Sequence, residues 1–170
     1  EGKKRIVLWH LDLPTEEDFK EFFQENSIDP TAENYAKLAK LYSDADKIKM
    51  LADFVVQNPN IVFVLAHGLY STTMINALFM NFSEPSSVRN LYFDLSVATT
   101  YMSVEQQEMI APLARKIGLW RFLFGTDGVT LESTFKMYSE SFGFKEDEVT
   151  TIVFENGDYF LKNFIEPIKE

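Results

Sequence analysis

The sequence has no cysteine, which excludes disulfide bridges, thiolate nucleophiles and cysteine-based zinc sites. Histidine is almost as scarce, with His10 and His67 the only two. Bases are outnumbered: 16 Lys and Arg stand against 26 Asp and Glu, a formal net charge of -10. That balance argues against nucleic acid and anionic lipid as partners, because both call for clustered positive charge. The short run KKR at residues 3 to 5 reads as a solvated strand entrance. No Gly-rich phosphate loop follows any apolar run, so the signature of a doubly wound nucleotide-binding domain is missing. No apolar stretch approaches the ~20 residues of a membrane-spanning helix, and no apolar signal core opens the chain. A soluble protein of a reducing, cytoplasmic compartment is expected. The chain starts at Glu1 without a methionine, as a processed, trimmed or excised piece would.

Apolar and aromatic residues are plentiful. At 170 residues, 46% hydrophobic and 15% aromatic, the chain is long enough to bury one substantial core, and a single domain over residues 1–170 is expected. Short apolar runs alternate with segments of helical spacing, the pattern of repeated strand and helix units. The strands are read at RIVLWH (5–10), NIVFVLAH (60–67), NLYFDLS (90–96) and WRFLFG (120–125). The second is apolar almost throughout, as suits a parallel strand covered on both faces.

Helices are expected at EEDFKEFF behind Thr15, at IDPTAENYAKLAKLY with Asp29 as cap and Pro30 at the first position, and from Ser43 through Ile48, Leu51, Ala52 and Val55. Ser103 and Gln106 form a capping-box pattern for a helix that Gly118 ends, and Pro112 kinks it or divides it in two. Thr130 opens another, through about Phe142. In the tail, VTTIVF has strand propensity, but Val149, Ile152, Val153, Asn156 and Phe160 fit one helical face, and helix is favoured. The linker-like pieces QENSIDP and NFSEPSSVRN are too short to separate domains.

Chemistry gathers at the strand ends. His10, His67 and Asp127 each lie at or just past the carboxyl end of a strand. Parallel strands with helical crossovers place those ends on one side, so residues distant in sequence converge there. Neutral imidazole and carboxylate are the ligands that zinc and similar divalent ions accept, and a bound metal lowers the pKa of its water toward ~7. Taken singly, each residue has a plainer explanation: a hydrogen-bonded histidine, or an Asp127 that shapes a turn before Gly128. Both histidines and an acid at matching positions make a less ordinary coincidence. Asp12 reads as a loop residue or cap. Asp94, in mid-strand, needs a partner if buried, and a structural or ligand-supporting role is expected of it.

The motifs VFVLAHG, NLYFDLS, RFLFGTD and IVFENGDYFL, in that order over about Arg5 to Ile165, resemble the last strands and terminal helix of the amidohydrolase superfamily. The likeness is to the amidohydrolase-related branch that includes decarboxylases of the aminocarboxymuconate semialdehyde type. It implies an α/β fold, the carboxyl half of a TIM (β/α)8 barrel, with strands five to eight and a terminal helix. It implies that His10 is a metal ligand and that His67 is a second ligand or a substrate-polarising, proton-transferring group. Asp127 would bind metal and orient or deprotonate the attacking water, and Asn156 would be structural. The metal implied is zinc, with manganese as the other choice, and the substrate a small molecule.

The family's first-strand pair of histidines and its strands one to four have no counterpart in this sequence. Four strands cannot close an eight-stranded barrel, and two edges would stay unpaired. An amino half on the same polypeptide, a second subunit, or a different packing of this half would each resolve that. Two functions follow: a metal-dependent hydrolase or decarboxylase completed by the missing half, or a non-catalytic half-barrel that assembles through its edges, a homo-oligomer in either case.

Overall fold

The strands form where β-branched and aromatic residues are densest, and each is shorter than its apolar run. A computed structural model describes residues 4–9, 24–25, 27, 29, 31, 45–67, 72–96 and 103–165. Its strands are β1 (Arg5–Trp9), β2 (Ile61–Leu65), β3 (Leu91–Asp94) and β4 (Phe122–Leu123). Neighbours pair in parallel, in the order β1-β2-β3-β4, so the chain is an α/β protein with a four-stranded, all-parallel sheet.

Parallel neighbours need crossovers, and helices supply them. Between β1 and β2 runs α1 (Ala45–Gln57); between β2 and β3, α2 (Thr72–Met80); between β3 and β4, α3 (Val104–Glu108) and α4 (Ile110–Ile117). The Ser103 side chain accepts from the Gln106 amide to start α3. The chain then turns at Met109 and restarts, which puts Pro112 in the first turn of α4, where a missing N–H is least costly. Gly118, at φ 109°, closes α4 in a conformation that side chains rarely adopt.

The described helices of the three crossovers cover the same sheet face. Phe63, Leu65, Leu91, Phe93 and Phe122 project from that face into one core with Ala52 and Val55 of α1, Ile75 and Leu78 of α2, and Ala111 and Ala114 of α4. Each fully buried Leu or Phe contributes roughly 1.5–3 kcal/mol. Because the order never reverses, every strand's carboxyl end opens on the same rim. The opposite face carries a second, smaller cluster: Val62, Val64 and Tyr92 pack with Phe160. Toward β1 that face is open, with Leu8 64% and Ile6 37% exposed.

After β4, Thr130 caps α5 (Leu131–Lys136), which continues as wider π-type turns over Met137–Ser141. The tail is helical from 146 to 165: α6 (Glu146–Thr150) and α7 (Asn156–Phe160) are joined and followed by π-type turns. Spacing prevails over the strand propensity of VTTIVF because Ile152, Asn156 and Phe160 are all buried on one face.

Two features depart from expectation. The outer side of TTMINALFM carries only Thr73, Asn76 and the exposed Met80, too little polarity to announce α2. The fourth strand is also shorter than WRFLFG, since Trp120 and Arg121 belong to a 3-10 turn, Leu119–Arg121. There the buried Arg121 guanidinium donates to the carbonyls of Ile117, Leu91 and Pro85, which fixes a turn in place of strand pairing. The helices expected before residue 43 lie almost wholly outside the described residues.

Candidate functional site

At the carboxyl end of β2 the chain makes a short turn through Ala66 and His67, and His67 is buried at φ 53°. Past β4, Phe124 to Thr126 lead to Asp127 at φ 43°. Both residues are in the left-handed region, where a side chain costs roughly 1–2 kcal/mol. Among the described residues only one other non-glycine, Ser27, has a positive φ. The two side chains meet: His67 Nδ1 lies 3.8 Å from Asp127 Oδ2. His67 is on the protein side of the rim, while the Asp127 side chain is 56% exposed.

The neighbouring strand holds the imidazole. Asp94, the last residue of β3, accepts the Ser96 backbone amide on Oδ1 and the Ser96 hydroxyl on Oδ2, both at 2.7 Å. Since that hydroxyl proton is committed to a carboxylate, the Ser96 oxygen is left to accept. His67 Nδ1 lies 3.0 Å from it and 3.3 Å from the Ser96 carbonyl. Nδ1 therefore carries the proton and donates to Ser96, which places the lone pair on Nε2. A carboxylate fixing an imidazole tautomer through an intermediate group is the arrangement by which metal-ligating and general-base histidines are oriented.

Gly125 makes the arrangement possible. A Cβ there would stand 2.3 Å from Asp94 Oδ1 and 2.9 Å from the Ser96 Cβ. Behind Asp94, the buried Tyr138 hydroxyl donates to the Leu95 carbonyl at 3.5 Å. Burial, and after it the charge of Asp94, pushes this phenol far above its usual range, so it stays neutral.

Of the residues expected at the site, then, His67 and Asp127 come together, and Asp94 supports His67 through Ser96. His10 and Asp12 lie outside the described residues. Asn156 is at the other end of the sheet, where its amide donates to the carbonyls of Leu119 and Phe122, as a structural clamp does. Ser96 was not singled out by its sequence. Its only signal is the Asp-Leu-Ser spacing, which puts hydroxyl and carboxylate two residues apart.

Among the described residues, no three His, Cys, Asp or Glu side chains gather closely enough to hold a metal ion. A catalytic zinc takes three protein ligands; Asp127 approaches the protonated Nδ1, so His67 would offer Nε2 to a metal, with the Asp127 carboxylate beside it and His10 as the third donor. Comparison with protein-family models, with curated proteins and with solved structures found no match to this chain.

Proposed function

We propose that this chain is the carboxyl half of an amidohydrolase-type barrel and carries part of a metal-dependent hydrolytic or decarboxylating site on its strand rim. The observation that carries the reading is the approach of His67 and Asp127 to 3.8 Å, from strand ends sixty residues apart, each in a left-handed conformation. Non-glycine residues held this way concentrate at functional sites. Strand order supports the barrel: a parallel sheet in chain order with the described crossover helices on one face is how half of a (β/α)8 barrel is built.

His10, His67 and Asp127 would hold zinc or manganese. When bound, such an ion lowers the pKa of its water to about 7 and polarises a carbonyl or carboxylate. Asp94 and Ser96 keep His67 in the tautomer whose lone pair is on Nε2. Asp127, the exposed member of the pair, would accept a proton from the attacking water and return it to the leaving group. A small molecule with an amide, ester or susceptible ring carbon suits hydrolysis; a carboxylate-bearing one suits decarboxylation. Calorimetric titration of the full chain with zinc and with manganese tests the reading: one saturable site, weakened by His10→Ala, is expected. An isotherm that His10→Ala leaves unchanged contradicts the assignment.

A second reading rests on a different observation. The apolar residues Ile6 and Leu8 of β1 are exposed on the face away from the crossovers, as an assembly surface would be. In that reading the chain is a metal-free half-barrel that self-associates. Size-exclusion chromatography with metal analysis separates the two, by a metal-free dimer or a metal-loaded species.

A further inference from the structure

The strands begin at the end of the sheet opposite His67 and Asp127, and a cleft of about 560 Å³ opens there. Its lining includes Arg89, Arg115, Lys116 and Arg121, and no acidic residue. In a chain where acids outnumber bases 26 to 16, four cations without an acid is an uneven share. The volume is in the range of small-molecule sites.

The four cations differ in what holds them. Arg115 is neutralised from outside the cleft, by Glu148, with both donors at 2.6 Å. Arg121 is buried, and three backbone carbonyls take its donors. Its guanidinium also lies 4.1 Å from the centre of the Trp120 ring. Arg121 thus ties the chain before β3 and β4 together, and its structural role is complete. The other two have no such account. Arg89 is exposed and lies over the same indole at 5.3 Å. Lys116 is exposed and donates to the neutral side chain of Asn76 at 3.0 Å. Among the described residues, none of the ion pairs includes Arg89, Lys116 or Arg121.

Gathering like charges around a buried guanidinium raises the energy of the folded chain unless something negative joins them. Burial first, and then the charge of Arg89, pulls the Arg121 pKa down to about 10. The rest of the lining is largely apolar, with the highly exposed Met80 and the indole of Trp120.

We infer that this cleft binds a small organic anion, its phosphate or carboxylate group held by Arg89 and Lys116 and its apolar body lying against Met80, close to Trp120. A net charge of -10 and a bounded cleft favour a small ligand over a nucleic-acid strand or a membrane surface. The site is independent of the metal reading, since the two lie at opposite ends of parallel strands.

Trp120 supplies the readout. The chain has two tryptophans, so Trp9→Phe leaves Trp120 as the single emitter. Titration of that full-length variant with phenyl phosphate, with benzoate and with neutral benzyl alcohol tests the proposal. A saturable change in Trp120 emission is expected with one or both anions, at least tenfold tighter than with benzyl alcohol, and weaker at high salt. Adding Arg89→Gln and Lys116→Gln is expected to weaken anion binding at least tenfold while the ligand-free melting temperature holds or rises, because repulsion is relieved. A purely structural role for these two cations would lower it. Equal binding of benzyl alcohol, no response to either anion, or undiminished anion binding after the two substitutions would overturn the proposal. His67→Ala should leave every one of these titrations unchanged.

Discussion

The Ser96 hydroxyl stands between His67 and Asp94, 3.0 Å from the imidazole Nδ1 and 2.7 Å from the carboxylate Oδ2. Because it donates to Asp94 it accepts from His67, and the tautomer of a buried histidine is set from the neighbouring strand. Nitrogen-15 NMR of the imidazole should show Nδ1 protonated and Nε2 unprotonated. Ser96→Ala removes the link and leaves an Asp94 oxygen without its hydroxyl partner. The backbone carbonyl of residue 96, 3.3 Å from Nδ1, still accepts, so the tautomer should hold while the Nδ1 resonance shifts with the lost hydroxyl contact, and a loss of about 1–3 kcal/mol in urea unfolding is expected. An unaltered spectrum would mean that the Ser96 hydroxyl does not hold the imidazole.

Gly125 is placed for what it lacks. With a methyl group 2.3 Å from Asp94 Oδ1, Gly125→Ala must push the carboxylate away or shift β4. Overpacking of this kind costs typically 1–3 kcal/mol. Thermal unfolding should show that loss, and the His67 imidazole resonances should move as in Ser96→Ala. Gly157, where an added Cβ meets nothing within 4 Å, is the control.

Two asparagines clamp the strand entrances. Asn90 Nδ2 donates to the carbonyls of Val55, Asn58 and Ile61, and Asn156 Nδ2 donates to those of Leu119 and Phe122. Replacing either by Ala removes a donor from buried and part-buried carbonyls, although those of Val55 and Asn58 keep a backbone amide. Each substitution should cost on the order of 2 kcal/mol, measured by urea denaturation with an unchanged slope.

Acid should expose one ion pair. Hydrogen bonds from Arg115, chiefly, hold the Glu148 carboxyl down at about 2. A pKa depressed on folding adds stability above the ordinary carboxylate value, and that stability is lost as pH falls toward the folded value. The stability gap between the native chain and Glu148→Gln should therefore be constant above about pH 5 and shrink between about pH 4.5 and 2. Urea unfolding at several pH values measures it; a gap that does not change with pH would remove Glu148 from the account.

The strands and their common direction were legible, because β-branched and aromatic runs punctuated by helical spacing admit few other arrangements. The rim residues His67 and Asp127 could be picked out as the polar groups that end apolar runs. Ser96 could not, since its role depends on β2 and β3 pairing with Leu65 opposite Phe93, which brings residues 67 and 96 to the same level. Helix α2 was hidden by its weak polar side, Thr73 and Asn76 with an exposed Met80, and the start of β4 by the burial of Arg121, a charge whose partners are backbone carbonyls and leave no trace in the sequence.

The most direct measurement is zinc affinity, by calorimetry, across the native chain, His67→Ala, Asp127→Ala and the double variant. One equivalent bound by the native chain is predicted, weakened at least ~10-fold by either single substitution, with losses that do not simply add because both groups would grip one ion. Identical isotherms from all four proteins, or no saturable binding by the native chain, would contradict a metal site at His67 and Asp127.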